Sequence, residues 1–235
     1  MLTKTFPRLE PLFDGRWPET ILLDLDGTLV DSAPDLAGAV DQMLRALALP
    51  VAGEEKVRQW VGNGAAILVR RALAGQFDYE NGPAVSELEF KQALDLFFAA
   101  YSDLNGGSAR VYPGVEEFLG AAHARGCQLG VVTNKPLAFT GPLLAMMKLD
   151  QWFRIAVSGD TLAVRKPDPA PLHHAMEYLG GKVGSTLMVG DSITDVRSAR
   201  NAGIPVVAVR YGYNYGGTAD DLGADIVVDS LAELL

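Results

Sequence analysis

Residues 21–32 read Ile21-Leu22-Leu23-Asp24-Leu25-Asp26-Gly27-Thr28-Leu29-Val30-Asp31-Ser32, and the rest of the chain is organised around them. The apolar start predicts a buried strand over 21–25. It runs into two aspartates spaced by two, then a glycine and a threonine. Side chains alternate along a strand, which places Asp24 and Asp26 on one face, roughly 6–7 Å apart along the chain. Gly27 then lets the backbone turn away. Carboxylates this close repel unless a cation or a proton lies between them. Read alone, the stretch is a strand ending in an Asp-Gly turn. A calcium loop also begins Asp-x-Asp, but its sixth position needs glycine and its twelfth glutamate. Here those positions hold Leu29 and Asp35. The flanking sequence must separate a turn from an active site.

Downstream, Leu36, Val40, Met43, Leu44 and Leu47 recur with helical spacing, and Val57 and Trp60 mark a second helix over 54–60. Val61-Gly62-Asn63-Gly64 is a tight loop, followed by a helix over 65–73 and the longest helical pattern, 85–101. Beyond the turn Asn105-Gly106-Gly107-Ser108 the texture changes. Short apolar strands at 129–133, 155–158, 186–189, 206–209 and 226–228 alternate with helical stretches, including 136–147, 170–179 and 194–202. This alternation predicts parallel βαβ units and an α/β fold with a doubly wound parallel sheet. The first strand lacks a partner nearby in sequence, so it is expected to join the later sheet. On that reading residues 20–33 and 106–235 form the core, 34–105 an inserted all-helical cap, and 1–19 an N-terminal extension. Ligands of such sheets bind beyond the carboxyl ends of the strands. Asp24, Asp26, Thr133-Asn134-Lys135 and Asp191 would converge there.

The 235 residues, 49% hydrophobic and 21% charged, describe an ordinary globular protein. A net charge of −9 argues against nucleic-acid and anionic-membrane partners, so an anionic substrate would be drawn by local cations. No apolar run is long enough to span a membrane, and the first residues lack the apolar core of a signal peptide. The single Cys127 excludes an internal disulfide and suits a reducing cytoplasm. Nothing in the sequence chooses between monomer and homodimer.

Gly190-Asp191-Ser192-Ile193-Thr194-Asp195 sits at a strand-to-helix junction, its aspartates four apart. Lys166-Pro167-Asp168-Pro169 is a rigid loop presenting a lysine. Singly, these are a capped helix start, a charged loop and, at Thr133, a strand-end hydroxyl. Together, aspartates with oxygen-only company suit Mg²⁺, which keeps waters and accepts a substrate phosphate. Lysine acts on phosphate as a point charge. Phosphoryl transfer needs mainly positioning and charge stabilisation, which this set supplies.

In this order the motifs Asp24-Leu25-Asp26-Gly27-Thr28, Thr133, Lys166-Pro167 and Gly190 to Asp195 resemble those of the haloacid-dehalogenase-superfamily phosphatases. Segments 49–55, Trp60-Val61-Gly62-Asn63-Gly64, 132–136 and Tyr211-Gly212-Tyr213-Asn214-Tyr215-Gly216 resemble the bacterial phosphoglycolate phosphatase group. The resemblance implies that Asp24 attacks phosphorus and that Asp26 serves as acid and base. It implies Mg²⁺ held by the Asp24 carboxylate, the Asp26 backbone carbonyl and Asp191, with Asp195 supporting its waters. Thr133 and the Asn134 amide would bind phosphoryl oxygens, and Lys166 would balance charge. The implied substrate is a small phosphate ester, 2-phosphoglycolate foremost, with the cap reading its leaving group. Candidates for its carboxylate are Asn63, Gly64, Arg70, Arg71, Lys56, Arg58 and Lys135, though helix-borne cations also suit a solvated face. His123, His173 and His174 fall in helical patterns and read as surface or packing residues. Thr194 stands where relatives often carry asparagine, which leaves the ligand set intact. Pyrophosphate or a sugar phosphate, as phosphatase or mutase, would keep the fold. Dehalogenation is disfavoured by Asp26, which a halide leaving group does not need. A receiver-like signalling module is disfavoured too, since Asp26 offers a base for turnover.

Overall fold

Apolar runs of four or five residues satisfy their burial when both faces of a strand are covered, and a parallel sheet flanked by helices does this. The computed structural model describes residues 9–235. In chain order these form β1 (Thr20–Leu23), β2 (Val30–Asp31), α1 (Ala33–Ala46), α2 (Glu54–Trp60), α3 (Ala65–Ala74), α4 (Glu87–Leu104), β3 (Arg110–Val111) and α5 (Val115–Ala124). There follow β4 (Gln128–Val132), α6 (Leu137–Met146), β5 (Ile155–Val157), α7 (Ala170–Leu179), β6 (Thr186–Gly190), α8 (Ile193–Ala202), β7 (Val206–Val209) and β8 (Ile226–Val228). Six strands pair in parallel in the order β5-β4-β1-β6-β7-β8. As expected from the sequence, β1 lies inside the later sheet, with Leu22 opposite Gly130 on one side and Met188 on the other.

The sheet is covered on both faces. Ile21 and Leu23 join Val131, Val189 and Val207 in one apolar cluster with Phe118 and Leu119 of α5. Leu22 points the other way, into a cluster with Val132, Met188, and Leu172 and Val196 of α7 and α8. Truncating a fully buried leucine such as Leu22 to alanine costs about 2–5 kcal/mol in comparable cores. Of the expected N-terminal extension, residues 1–8 lie outside the described residues. Its remainder is pinned: Leu9 and Phe13 enter the first cluster. Cys127 is a buried free thiol whose Sγ donates to the Pro18 carbonyl at 3.0 Å.

Helices α1–α4 pack around an apolar cluster distinct from those of the sheet, with Val40, Met43, Trp60, Leu68, Val69 and Phe97 at its centre. Helix α4 begins at Glu87 rather than Val85 because Ser86 and Glu89 cap it reciprocally. Ser86 N–H donates to Glu89 Oε2 (2.8 Å), and Glu89 N–H donates to Ser86 Oγ (3.3 Å). Two features join the departing and returning chain at the base of these helices. β2 and β3 pair antiparallel, Val30 with Val111 and Asp31 with Arg110. Buried Asp35, in the first turn of α1, accepts from the amides of Gly106 (2.8 Å), Ser108 (2.7 Å) and Ala109 (3.2 Å). Among the described residues no helix is long and apolar enough to cross a membrane.

Candidate active site

Because β4, β1 and β6 are adjacent and parallel, the segments that follow them meet at one edge of the sheet. β1 stops at Leu23, short of the expected strand. Leu29 and Val30 N–H both donate to the Leu25 carbonyl (3.0 Å each), and Gly27 N–H donates to Val30 (2.9 Å). Residues 25–30 thus fold back on themselves, and strand alternation does not govern Asp26. Gly27 has φ +88°, and a Cβ there would overlap the Asp191 carboxylate and the Tyr213 ring. The two aspartates consequently enter different surroundings.

Asp24 is buried against Lys166. Nζ of Lys166 lies 2.9 Å from Asp24 Oδ1, an ion-pair distance off the hydrogen-bonding direction, so that this oxygen has no hydrogen-bond donor. The same ammonium donates to Asp195 Oδ1 at 2.7 Å and to the Val132 carbonyl at 2.6 Å. Asp195 Oδ2 collects the amides of Asp191 (3.3 Å) and Ser192 (3.1 Å) and the Ser192 hydroxyl (2.6 Å), which fixes it at the start of α8. Asp191 accepts from Thr28 Oγ1 at 3.2 Å and from the Tyr213 amide at 2.7 Å.

Carboxylate oxygens of Asp24, Asp191 and Asp195 lie within 4.8 Å of one another. Burial pushes the Asp24 pKa up to about 7, against the pull of Lys166 and with further push from Asp195 and Asp26. Asp191 is held well above the usual carboxylate range, by burial first and then by Asp195 and Asp24. For Lys166, burial pulls downward but Asp195 and Asp24 outweigh it, so the ammonium keeps its proton. An all-oxygen cluster with surplus negative charge and an undonated oxygen fits a hard divalent cation. These three aspartates could hold a metal ion.

The Asp26 carboxylate stands outside that cluster. Lys135 Nζ donates to its Oδ1 (3.1 Å) and Oδ2 (3.4 Å), and the Ser32 hydroxyl donates to Oδ1. Lys135 also contacts the Tyr101 hydroxyl of α4 and lies 4.6 Å from that ring's centroid. Burial works against its charge, but Asp26 and Tyr101 more than restore it.

A cavity of ≈ 40 Å³ opens onto both aspartates. Thr133, Asn134, Lys135 and Gly64 line it, with apolar walls from α1, α3, α4 and α6. The Asn134 amide nitrogen donates to Gly62 (3.2 Å) and Lys166 (3.1 Å) carbonyls, leaving its buried Oδ1 without a partner. Gly64 precedes α3 at φ +86°, with the Asn134 carbonyl against it. Asn63 does not line this cavity; its Nδ2 donates to Thr194 Oγ1 at 3.3 Å.

Other expected contacts are not brought here. Arg70 pairs with Glu87 (3.1 Å), stacks 3.9 Å from the Phe90 ring centroid and faces a separate groove beside Tyr79 and Pro83. Arg71 is consumed structurally, donating to the Trp60 (2.6 Å) and Phe77 (3.1 Å) carbonyls. Lys56 is exposed, and Arg58 binds Asp31 (2.8 Å) and Glu54 (2.9 Å). His173 and His174 are exposed and His123 packs against Trp152. Ser32 and Tyr101 belong to the site yet were invisible as such, since both sit in stretches that read only as helix or turn.

A parallel α/β sheet carrying a buried aspartate–lysine centre at its carboxyl edge is the class that fold and site define. Residues 18–203 match the model of the haloacid dehalogenase-like hydrolase family, and the chain belongs to that family. A phosphoglycolate phosphatase of Pseudomonas fluorescens is 46% identical over 226 residues, 96% of this chain and 82% of that protein. One from Nitrosococcus oceani is 46% identical over 92% of this chain and 95% of its own length. The crystal structure of a predicted phosphoglycolate phosphatase from Haemophilus somnus superposes with a TM-score of 0.85 at 37% identity, covering 92% of this chain and 95% of that one. The family resemblance read from the motifs is thereby borne out.

Proposed function

We propose that the protein is a Mg²⁺-dependent phosphomonoesterase that cleaves 2-phosphoglycolate to glycolate and phosphate through an aspartyl-phosphate on Asp24. The carrying observation is the separation of two neighbouring aspartates: Asp24 sits on Lys166, Asp26 on Lys135 and Ser32. One is poised to attack, the other to handle protons. The names of the relatives support the substrate.

In this mechanism the Thr133 hydroxyl and the Asn134 backbone amide orient the phosphoryl oxygens. Asp24 attacks phosphorus as the ester oxygen departs, and protonated Asp26 delivers its proton to that oxygen. Asp26, now a base, takes a proton from the water that attacks the phosphorus. This frees phosphate, restores the Asp24 carboxylate and returns the proton to Asp26. Lys166 holds Asp24 and offsets negative charge throughout. Asp24, Asp191 and the Asp26 backbone carbonyl, with Asp195 beside them, would hold a divalent cation, which would supply electrostatic neutralisation of phosphate and nucleophile.

Residues 34–105 act as a cap. The cavity beneath, ≈ 40 Å³, has room for only about three waters, so a phosphate ester enters when these helices lift away. Lys135 and the amides around Asn63 and Gly64, where α3 begins, receive the substrate carboxylate. A cytoplasmic site of action suits the chain.

The test is kcat/KM over phosphoglycolate, pyrophosphate and hexose phosphates, with and without Mg²⁺. Phosphoglycolate should rank among the best and turnover should stop in chelator. A poor rank would discard the substrate, and metal-independent turnover would discard the metal's part.

A further inference from the structure

The segment Tyr211-Gly212-Tyr213-Asn214-Tyr215-Gly216 follows β7 and takes no part in the chemistry above. Its middle tyrosine is buried and touches two distant places at once. The backbone N–H of Tyr213 donates to Asp191 Oδ2 at 2.7 Å. Its phenolic oxygen accepts from the amides of Ser32 (2.8 Å) and Ala33 (2.9 Å) and donates to Asp31 Oδ1 (2.8 Å). The ring itself packs in the apolar cluster of α1–α4.

The start of α1 explains why this matters. The first amides of a helix need acceptors from outside the helix. Ser32 stands at the N-cap, where its hydroxyl would ordinarily serve, but that hydroxyl is turned to Asp26 and makes no cap. Tyr213 supplies the acceptor from 181 residues away. The approach is tight at the other end too: a Cβ at Gly212 would overlap Asp191, and one at Gly27 would meet both Asp191 and the Tyr213 ring. An N–H bond to a carboxylate is charge-assisted and directional, so it selects one orientation of Asp191. The phenol cannot shift without releasing the first turn of α1.

We propose that Tyr213 is a positioning residue that ties Asp191 to the first turn of α1, so that this carboxylate's orientation and the seating of the helical unit are set together. The inference rests on the metal role given to Asp191 above.

Tyr213→Phe keeps the ring and the backbone N–H and removes only the hydroxyl. Mn²⁺ binding to the whole protein, followed by electron paramagnetic resonance, should weaken about three- to tenfold, the part of the phenol's three hydrogen bonds, one of them to a carboxylate, that is felt at Asp191. At saturating metal, kcat should fall with KM little changed. A lower melting temperature with unaltered Mn²⁺ affinity would mean that the phenol merely caps α1, and would overturn the proposal. Asp31→Ala provides a second route, since it removes the phenol's acceptor while leaving the phenol's bonds from the Ser32 and Ala33 amides in place; it also removes Asp31's long contact with the Ala33 amide (3.4 Å) and its pairing with Arg58 (2.8 Å). It should weaken Mn²⁺ about two- to threefold, and combined with Tyr213→Phe it should add nothing further. Fully additive losses, or an Asp31→Ala protein with unaltered affinity, would overturn the linkage. A wild-type protein that binds Mn²⁺ but hydrolyses no phosphate ester would sink the functional reading alone, and the comparison of affinities would still decide for or against Tyr213. A wild-type protein that binds no Mn²⁺ would overturn both.

Discussion

Asp24→Asn replaces the proposed nucleophile by an amide of equal size, and it should stabilise the metal-free protein while abolishing turnover. Burial has raised the Asp24 pKa from its ordinary 3.8 to about 7, with Lys166 opposing only part of the rise. For an acid raised on folding, the folded state disfavours ionisation. The cost is absent below 3.8, grows through the interval and is complete above about 7. A displacement of this size corresponds to about 4 kcal/mol. The amide must still be buried, and it gives up an ion pair with Lys166, so roughly half of that, about 2 kcal/mol, should be recovered. For a chain of this length the melting temperature should then rise by about 4–8 °C near pH 8 in chelator. The advantage should shrink as pH falls and disappear near about pH 4, where the parent's Asp24 is protonated. Saturating Mg²⁺ should raise the parent's melting temperature more than the variant's, because only the parent offers the full ligand set. Thermal or urea melts across this pH range, with and without metal, read every part of this. A variant less stable than its parent near neutral pH in chelator, or a gap indifferent to pH, would refute the reasoning.

Lys166→Met should act in the opposite direction. It strips Asp24 and Asp195 of their shared ammonium and should cost about 3–5 kcal/mol near neutral pH. That loss should lessen on acidification as the cluster takes up protons, seen in urea midpoints against pH, with hydrolysis undetectable. Lys135→Met removes the cation on Asp26 and should slow all substrates. It should lower kcat/KM for phosphoglycolate about ten- to hundredfold beyond its effect on p-nitrophenyl phosphate, which lacks a carboxylate. Equal losses on both substrates would leave Lys135 as a partner of Asp26 only.

The sheet was legible because its strands are short apolar runs alternating with helical ones, and because strand 21–25 had no local partner. That strand ends earlier than its apolar run suggests. Strand alternation does not extend to Asp26, because the hydrogen bonds to the Leu25 carbonyl fold residues 25–30 back on themselves. The pairing of β2 with β3 left no trace, since two residues carry no periodicity. Asp24, Thr133, Lys166, Asp191 and Asp195 stand out as a set of polar residues at strand and loop ends, whereas each alone reads as a turn, a cap or a charged loop, and their roles follow from the family resemblance. Arg70 was not, because helical spacing does not say which neighbouring helix a face meets, and here it meets Glu87 and Phe90 of α4. Thr194 looked neutral as a departure from its relatives. In the fold its hydroxyl is shared by Asn63 and by the Tyr215 hydroxyl at 3.0 Å, contacts that span 131 and 21 residues.

One carboxylate has a wider bearing. Asp35 gathers the amides of Gly106, Ser108 and Ala109, so the chain leaves the sheet and rejoins it at one joint. An excursion whose two ends are fastened together transmits little of its own length to the scaffold, because loop-closure entropy grows only slowly with added residues. As the proposed cap, residues 34–105 are thereby fastened to the sheet as a module at a single joint. Under the proposed function, lengthening, shortening or recutting it should alter which phosphate is admitted while Asp24 and Asp191 keep their places after β1 and β6.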